Sequence, residues 1–261
     1  MREFALFLWL GLSFSVAAAQ SPGGPAFEVV SIHIHAQGQP GKIGFYSSPG
    51  GGVELDTLKL SRLIGYALDI DDQEVFGVPA WANNVYYDVK AYPPDDSPSR
   101  KLNLPGHTAT PTPEQRAMIL NMLKERFRLQ YHEEKVEMPV YILKRGKGPL
   151  KLDAPKFPER AADPRGGLVM RGDVVTGEGF GQSLTMGFLV KQLEWPLERP
   201  VIDQTGVEGV YDFRVAPIEP ENKDKLRGAQ LMVDALGLKL AAGRAPVRTI
   251  HVDAAAPPTE N

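Results

Sequence analysis

The chain has 261 residues, 43% of them hydrophobic and 23% charged, with a formal net charge of −3 and no cysteine. That length allows one large domain or two small ones, and the composition excludes wholesale disorder. The charge leaves no footprint for a polyanion, so nucleic acid is not an expected partner, and the missing cysteine excludes a disulfide framework, a thiol nucleophile, a lipidated cysteine anchor and a Cys-based metal site.

Residues 1–19 read as a signal peptide. Arg2 supplies a positive start, an apolar run covers 4–16, and Ala17, Ala18 and Ala19 form a small-residue cleavage site before Gln20. The run is short for a membrane span. No second apolar stretch follows, so no transmembrane segment is expected after cleavage. An uncleaved N-terminal anchor is the alternative. The expected address is the periplasm or the exterior.

Residues 20–26 form a lead-in. Residues 27–35 predict a strand, with Val30, Ile32 and Ile34 alternating. Residues 36–52 carry six glycines and predict a loop or an irregular hairpin. Val53, Leu55 and Thr57 fit a strand. The period then changes: Leu60, Leu63, Ile64, Ala67 and Leu68 predict a short amphipathic helix, closed by Asp69, Asp71 and Asp72. A strand, turn and strand occupy 74–91. Residues 92–111 are a loop, since no packed element survives that proline density. Thr112 then opens the clearest helix, with Pro113 at its first position and Gln115 completing a capping box. Met118, Ile119, Met122, Leu123 and Phe127 are its apolar stripe. Strands are expected at 127–132 and 140–144.

Gly, Pro and charge dominate 146–182, which predicts a linker carrying at most a short strand at 168–171. A helix takes Met186, Leu189, Val190 and Leu193. The stretch 199–215 reads as strand, turn and strand, with Gly206 and Gly209 forcing the turn and Asp203 and Thr205 bonding it locally. A charged loop at 219–225 leads to a helix on Leu226, Met232, Val233 and Leu236, ended by Gly237. Strands follow at 238–241 and 247–252.

The second half repeats the order of the first. Leu58, Leu60, Leu63, Ile64 and Ala67 match Leu184, Met186, Leu189, Val190 and Leu193. Both stretches end on one tetrad, Tyr87-Asp88-Val89-Lys90 and Tyr211-Asp212-Phe213-Arg214. From Leu58 to Tyr87 is 29 positions, and from Leu184 to Tyr211 is 27. The expected fold is therefore α+β with two similar units, each with two helices on a small, mainly antiparallel sheet. The expected boundaries are 27–145 for the first unit, 146–182 for the linker, 183–253 for the second unit and 254–261 for a tail. A unit this short buries little alone, so the two should pack together.

Specific residues carry a family resemblance: Phe27 to Ile32, Gly77 to Trp81, Tyr87 with Asp88, Arg126 to Glu133, Pro139 to Tyr141, Arg199 to Gly206, Gly209 to Phe213, and the ending Pro258, Thr259, Glu260 and Asn261. In these the chain resembles the "soil-associated" family of exported bacterial proteins, a domain of unknown function. The resemblance implies export and sometimes fusion to membrane sensor-peptidase modules. It implies no activity and transfers no catalytic residue. The element order is also similar to the short N-terminal modules of secretins and outer-membrane receptors, a likeness of fold alone.

Few residues offer chemistry. His33 and His35 have a usable metal-ligand spacing, but His107, His132 and His251 are scattered over other elements, so no metal and no cofactor are expected. Asp69, Asp71 and Asp72 lack the closing acidic residue of a calcium loop and read as a solvated helix end. Asp88 and Asp212 invite an acid/base dyad, against a structural role in which each carboxylate bonds turn amides. No nucleophile elbow, phosphate loop or dinucleotide fingerprint occurs. Trp81 beside Pro79 and Trp195 beside Pro196 are either exposed anchors or loop staples. The favoured function is a non-catalytic extracytoplasmic binding or protein-interaction module for an envelope protein or glycan. Its candidate binding residues are Trp81, Tyr87, Asp88, Asp203, Tyr211 and Asp212. The alternative is a hydrolase centred on Asp88 or Asp212.

Overall fold

The computed structural model describes residues 24–258 except 37, 102–105, 108–110, 159–168 and 220–222. The leader, the last three residues and part of the expected linker lie outside the described residues. The described chain is mixed α+β, with four α-helices and three sheets.

The first sheet is antiparallel throughout. It holds β1 (Val29–Ile34), β2 (Gly44–Ser48), β3 (Gly52–Leu58), β5 (Tyr87–Tyr92) and β6 (Gly106–His107), in the order β1-β5-β3-β2-β6. Two helices, α1 (Leu60–Leu68) and α2 (Pro113–Arg126), close its core. Thr112 and Gln115 cap α2 reciprocally: the Gln115 amide donates to Thr112 Oγ1 at 3.2 Å, and the Thr112 amide donates to Gln115 Oε1 at 3.0 Å. The expected apolar stripe is buried at every position from Met118 to Phe127.

The second sheet is built on a long ribbon. Strands β7 (Gln130–Arg145) and β12 (Leu238–Ala254) run antiparallel from Leu238 opposite Arg145 to Ala254 opposite Gln130. Each was expected as two strands interrupted near Pro139 and Pro246. Both run straight through, because neither proline has a strand on its outer flank among the described residues, so its missing N–H costs no ladder bond there. Two short strands flank the ribbon in parallel: β4 (Val75–Phe76) on β12, and β10 (Val201–Gln204) on β7.

The third sheet has the order β11-β9-β8, from β8 (Val169–Asp173), β9 (Glu178–Leu184) and β11 (Tyr211–Val215). Strands β8 and β9 fall largely inside the stretch expected to be a linker. Strand β8 overlaps the short strand expected at 168–171, while β9 was hidden by its glycines: a Cβ on Gly181 would stand 2.6 Å from the Phe213 ring, so a residue without one is needed there. Helices α3 (Met186–Leu197) and α4 (Lys225–Ala235) close the second core, and α4 ends as expected at Gly237, whose φ is 79°.

Each strand–turn–strand stretch feeds two sheets rather than forming a hairpin. Strands β4 and β10 join the ribbon, while β5 and β11 join the first and third sheets. The ribbon thereby serves both cores: Ile250 and Val252 close the first, and Tyr141, Leu143, Leu238 and Leu240 close the second. Burial of these side chains at roughly 25 cal/mol per Å² of apolar surface ties the two cores together.

Candidate functional site

The six residues singled out from sequence are not gathered into one site. Tyr87 is core, 1% exposed and edge-on to the Phe127 ring at 5.2 Å. Trp81 is part-buried against the first core. Asp203 accepts the Thr205 amide at 2.8 Å, and the Tyr211 hydroxyl donates to the Glu208 carbonyl at 2.6 Å. These are turn-holding bonds. Asp88 Oδ1 accepts the Thr57 amide at 2.8 Å, while Oδ2 lies 2.8 Å from His35 Nδ1. Asp212 accepts the Ser183 amide at 2.8 Å and the Lys156 amide at 3.1 Å. The two carboxylates therefore sit in separate sheets, each committed to the backbone, and do not form a dyad. The six residues therefore do not converge on one surface.

The molecule instead opens between its two helix pairs. Helix α1 ends where Asp69 turns to a φ of 58°, and Asp71 starts a capping box with Glu74. This segment faces α3. Two adjoining clefts of about 720 and 730 Å³ share Asp71 and Trp195 in their walls. Trp195 is 73% exposed, a rare state for so large an apolar group, and it projects from the last turn of α3 beside the buried Pro196. Asp72, Asp173 and Glu198 line one cleft with Lys225, which reaches Glu198 at 3.5 Å; Asp69, Glu74 and Glu194 line the other, with Arg62 and Lys191. Asp69 and Asp72 stay partly solvated at the helix end, but all three carboxylates are also ion-paired. Arg62 reaches Asp71 at 3.2 Å and Asp72 at 3.3 Å, Arg116 reaches Asp69 at 2.8 Å, and Lys191 of α3 also pairs with Asp69.

Burial pushes the Glu194 carboxyl up to about 7, and the neighbouring Glu74 and Asp71 push in the same direction; the Val201 amide, donating to Oε1 at 3.0 Å, and Lys191 oppose them. Burial raises Glu74 as well. Neither glutamate was picked out from sequence. The one available signal is that Glu194 falls four residues after the buried Val190, placing a carboxylate beside an apolar stripe.

A second cluster corrects the reading of the histidines as scattered. His132 on β7 and His251 on β12 are directly opposed across the ribbon, with their rings stacked at 5.3 Å. Glu134 joins them on the same face: Oε1 lies 3.2 Å from His132 Nε2, and Oε2 lies 3.5 Å from His251 Nε2. His132 Nδ1 lies 2.8 Å from Asp253 Oδ1, and this bond is the leading cause of a raised His132 pKa. By contrast, His33 faces Ser31, and His35 is occupied by Asp88 and the Gln39 carbonyl.

Fold and site together define a mixed α+β protein in which two cores, each with a helix pair, pack on one face of a shared ribbon and an acidic cleft opens between the helix pairs. The model of the family "Protein of unknown function (DUF3738)" matches residues 61–255, and the chain belongs to that family. No match was found among curated proteins or among solved structures. The matched span contains both the Trp195 cleft and the His132–His251 cluster. No helix among the described residues is long and apolar enough to cross a membrane.

Proposed function

We propose that the protein is an exported, non-catalytic binding module that takes a cationic group of an envelope partner, on a protein or a glycan, into the cleft at Trp195. The observation that carries this reading is the exposed indole of Trp195 set among carboxylates. An indole face attracts a cation by roughly 0.5–2 kcal/mol, and surrounding carboxylates add attraction that partial burial keeps from being fully screened. Residues 1–19 serve as the leader in this reading, and the site of action is the periplasm or the exterior. The "soil-associated" label and the likeness to secretin modules belong to the same proposal.

The reading also includes two similar units, 27–145 and 183–253, with 146–182 joining them. Leu58 pairs with Tyr87 and Leu184 pairs with Tyr211, each beside a register shift. The residue before each leucine is in the left-handed region, Thr57 at 55° and Ser183 at 53°, and each gives its amide to the aspartate that follows the tyrosine. Strands β4 and β10 then each pair in parallel with the long strand of the opposite half. A copied unit whose second strand crosses to its twin accounts for all three features.

The test uses the chain from Gln20 onward, immobilised and exposed to envelope proteins and glycans. Trp195 emission is followed in a Trp81→Phe background while lysine- and arginine-containing peptides are added. Capture and quenching should both disappear in Trp195→Ala. Undiminished capture by that variant sinks the cleft reading. The alternative of a hydrolase now points to Glu194, whose carboxyl is poised near neutral pH. Turnover of a peptide or glycan probe that is lost in Glu194→Gln would favour it.

A further inference from the structure

We propose that His132, Glu134 and His251 form a binding site for one divalent transition-metal ion, best matched to Zn²⁺, on the open face of the β7/β12 ribbon. The donor set is two imidazoles and one carboxylate, the chemistry that borderline ions such as Zn²⁺ select. One ligand atom from each residue falls within 4.8 Å of the other two. Bonds of about 2.0–2.2 Å put two donors on a tetrahedral ion roughly 3.3 Å apart. The Glu134 carboxylate already sits between the two imidazoles, with Oε1 3.2 Å from His132 Nε2 and Oε2 3.5 Å from His251 Nε2, separations close to that value. To bind the ion the two imidazoles close on each other and His251 Nε2 gives up its 3.2 Å contact with Thr249 Oγ1, rotations open to a half-exposed His132 and a part-exposed His251.

Asp253 supplies the independent observation. A metal-bound histidine characteristically gives its other ring N–H to a carboxylate, which fixes the tautomer and the ring plane. Asp253 Oδ1, 2.8 Å from His132 Nδ1, occupies that position and leaves Nε2 on the Glu134 side of the ring, where an ion would displace its proton. The ribbon supplies the rest. Strand periodicity puts His132 and Glu134 on one face, and the register sets His251 opposite His132. The site is half-exposed, so an ion can enter and keep one position open to water or to a ligand.

The test is titration of the tag-free chain from Gln20 onward with Zn²⁺ by calorimetry, and with Co²⁺ by its visible absorption. One ion per chain is expected. Affinity should fall by about 100-fold or more in His132→Ala and in His251→Ala, and about 10–100-fold in Asp253→Asn. His33→Ala should leave both stoichiometry and affinity unchanged. Circular dichroism of each variant establishes that the ribbon is intact, and the residues concerned are surface ones. No binding, or binding that survives in folded His132→Ala or His251→Ala, or that is lost in His33→Ala, overturns the proposal. Because Trp195 is left untouched, failure here leaves the cleft reading standing, and the reverse holds for Trp195→Ala.

Discussion

Asp88 and Asp212 take the same part in two different settings. Each holds the amide of a residue in the left-handed region, at 2.8 Å in both cases. Asp88 keeps a third of its side chain in water and shares its second oxygen with His35. Asp212 is 7% exposed and spends its second oxygen on the Lys156 amide, next to a backbone bridge to Asp153. The first site can thus be re-hydrated when a partner is lost, and the second cannot. The same Tyr-Asp-hydrophobic-basic pattern therefore gives an electrostatically tunable joint in one half and a fixed one in the other.

The largest expected effect comes from breaking the fixed joint. Asp212→Ala leaves two amides without an acceptor and should cost about 2–4 kcal/mol, whereas Asp88→Ala should cost about 1–2 kcal/mol because water can replace the carboxylate. Urea denaturation of both variants checks this, and equal losses would remove the contrast. Next comes Glu194, on the boundary between the halves. Its folded pKa is raised, so the folded state holds the extra proton and stability falls as pH rises from about 4.5 to about 7. Glu194→Gln keeps an acceptor for the Val201 amide and should stabilise the protein by about 1–3 kcal/mol above pH 7, with no gain below pH 4.5. Melting temperatures of the two proteins across pH 4–8 measure the window.

A subtler effect separates the two aspartates by pH. The bond to Asp88 is the largest of the causes raising His35, followed by the Gln39 carbonyl. Its contribution is fully present below the unfolded value of 6.5 and is lost as pH rises through the higher folded value. The stability difference between wild type and Asp88→Asn should shrink across that range, and Asp212→Asn should show no such trend. The smallest expected effect is at Thr57. A β-branched residue at a φ of 55° is strained, so Thr57→Gly should stabilise by about 0.5–1 kcal/mol. Ser183→Gly should gain less, since serine is not β-branched and its hydroxyl bond to the Phe157 carbonyl, 3.1 Å, is shorter than the 3.4 Å contact of Thr57 Oγ1 with His35 Nδ1. Chemical denaturation resolves the pair.

Local signals were legible wherever a short-range rule applied. The Thr112–Gln115 capping box, the α2 stripe, the Gly237 stop and the matched apolar positions of α1 and α3 all stand in the sequence because each depends on residues within one or two turns. The strand–turn–strand stretches were visible as elements, yet their partners were not. Pairing of β4 with β12 spans more than half the chain, and neither strand carries a mark of the other. Strand β9 was obscured because its glycines, which make room for Phe213, look like linker glycines.

The sequence by itself determined where helices begin and stop, which side chains must be buried, and that Asp88 and Asp212 play matching parts, since period, capping and turn chemistry act over a few residues. Only the tertiary structure decided that His132 meets His251, that Glu194 loses its water, and that Trp195 keeps its own. Register across a seventeen-residue strand and the approach of two helix pairs are set by the whole core at once, and no local pattern encodes them.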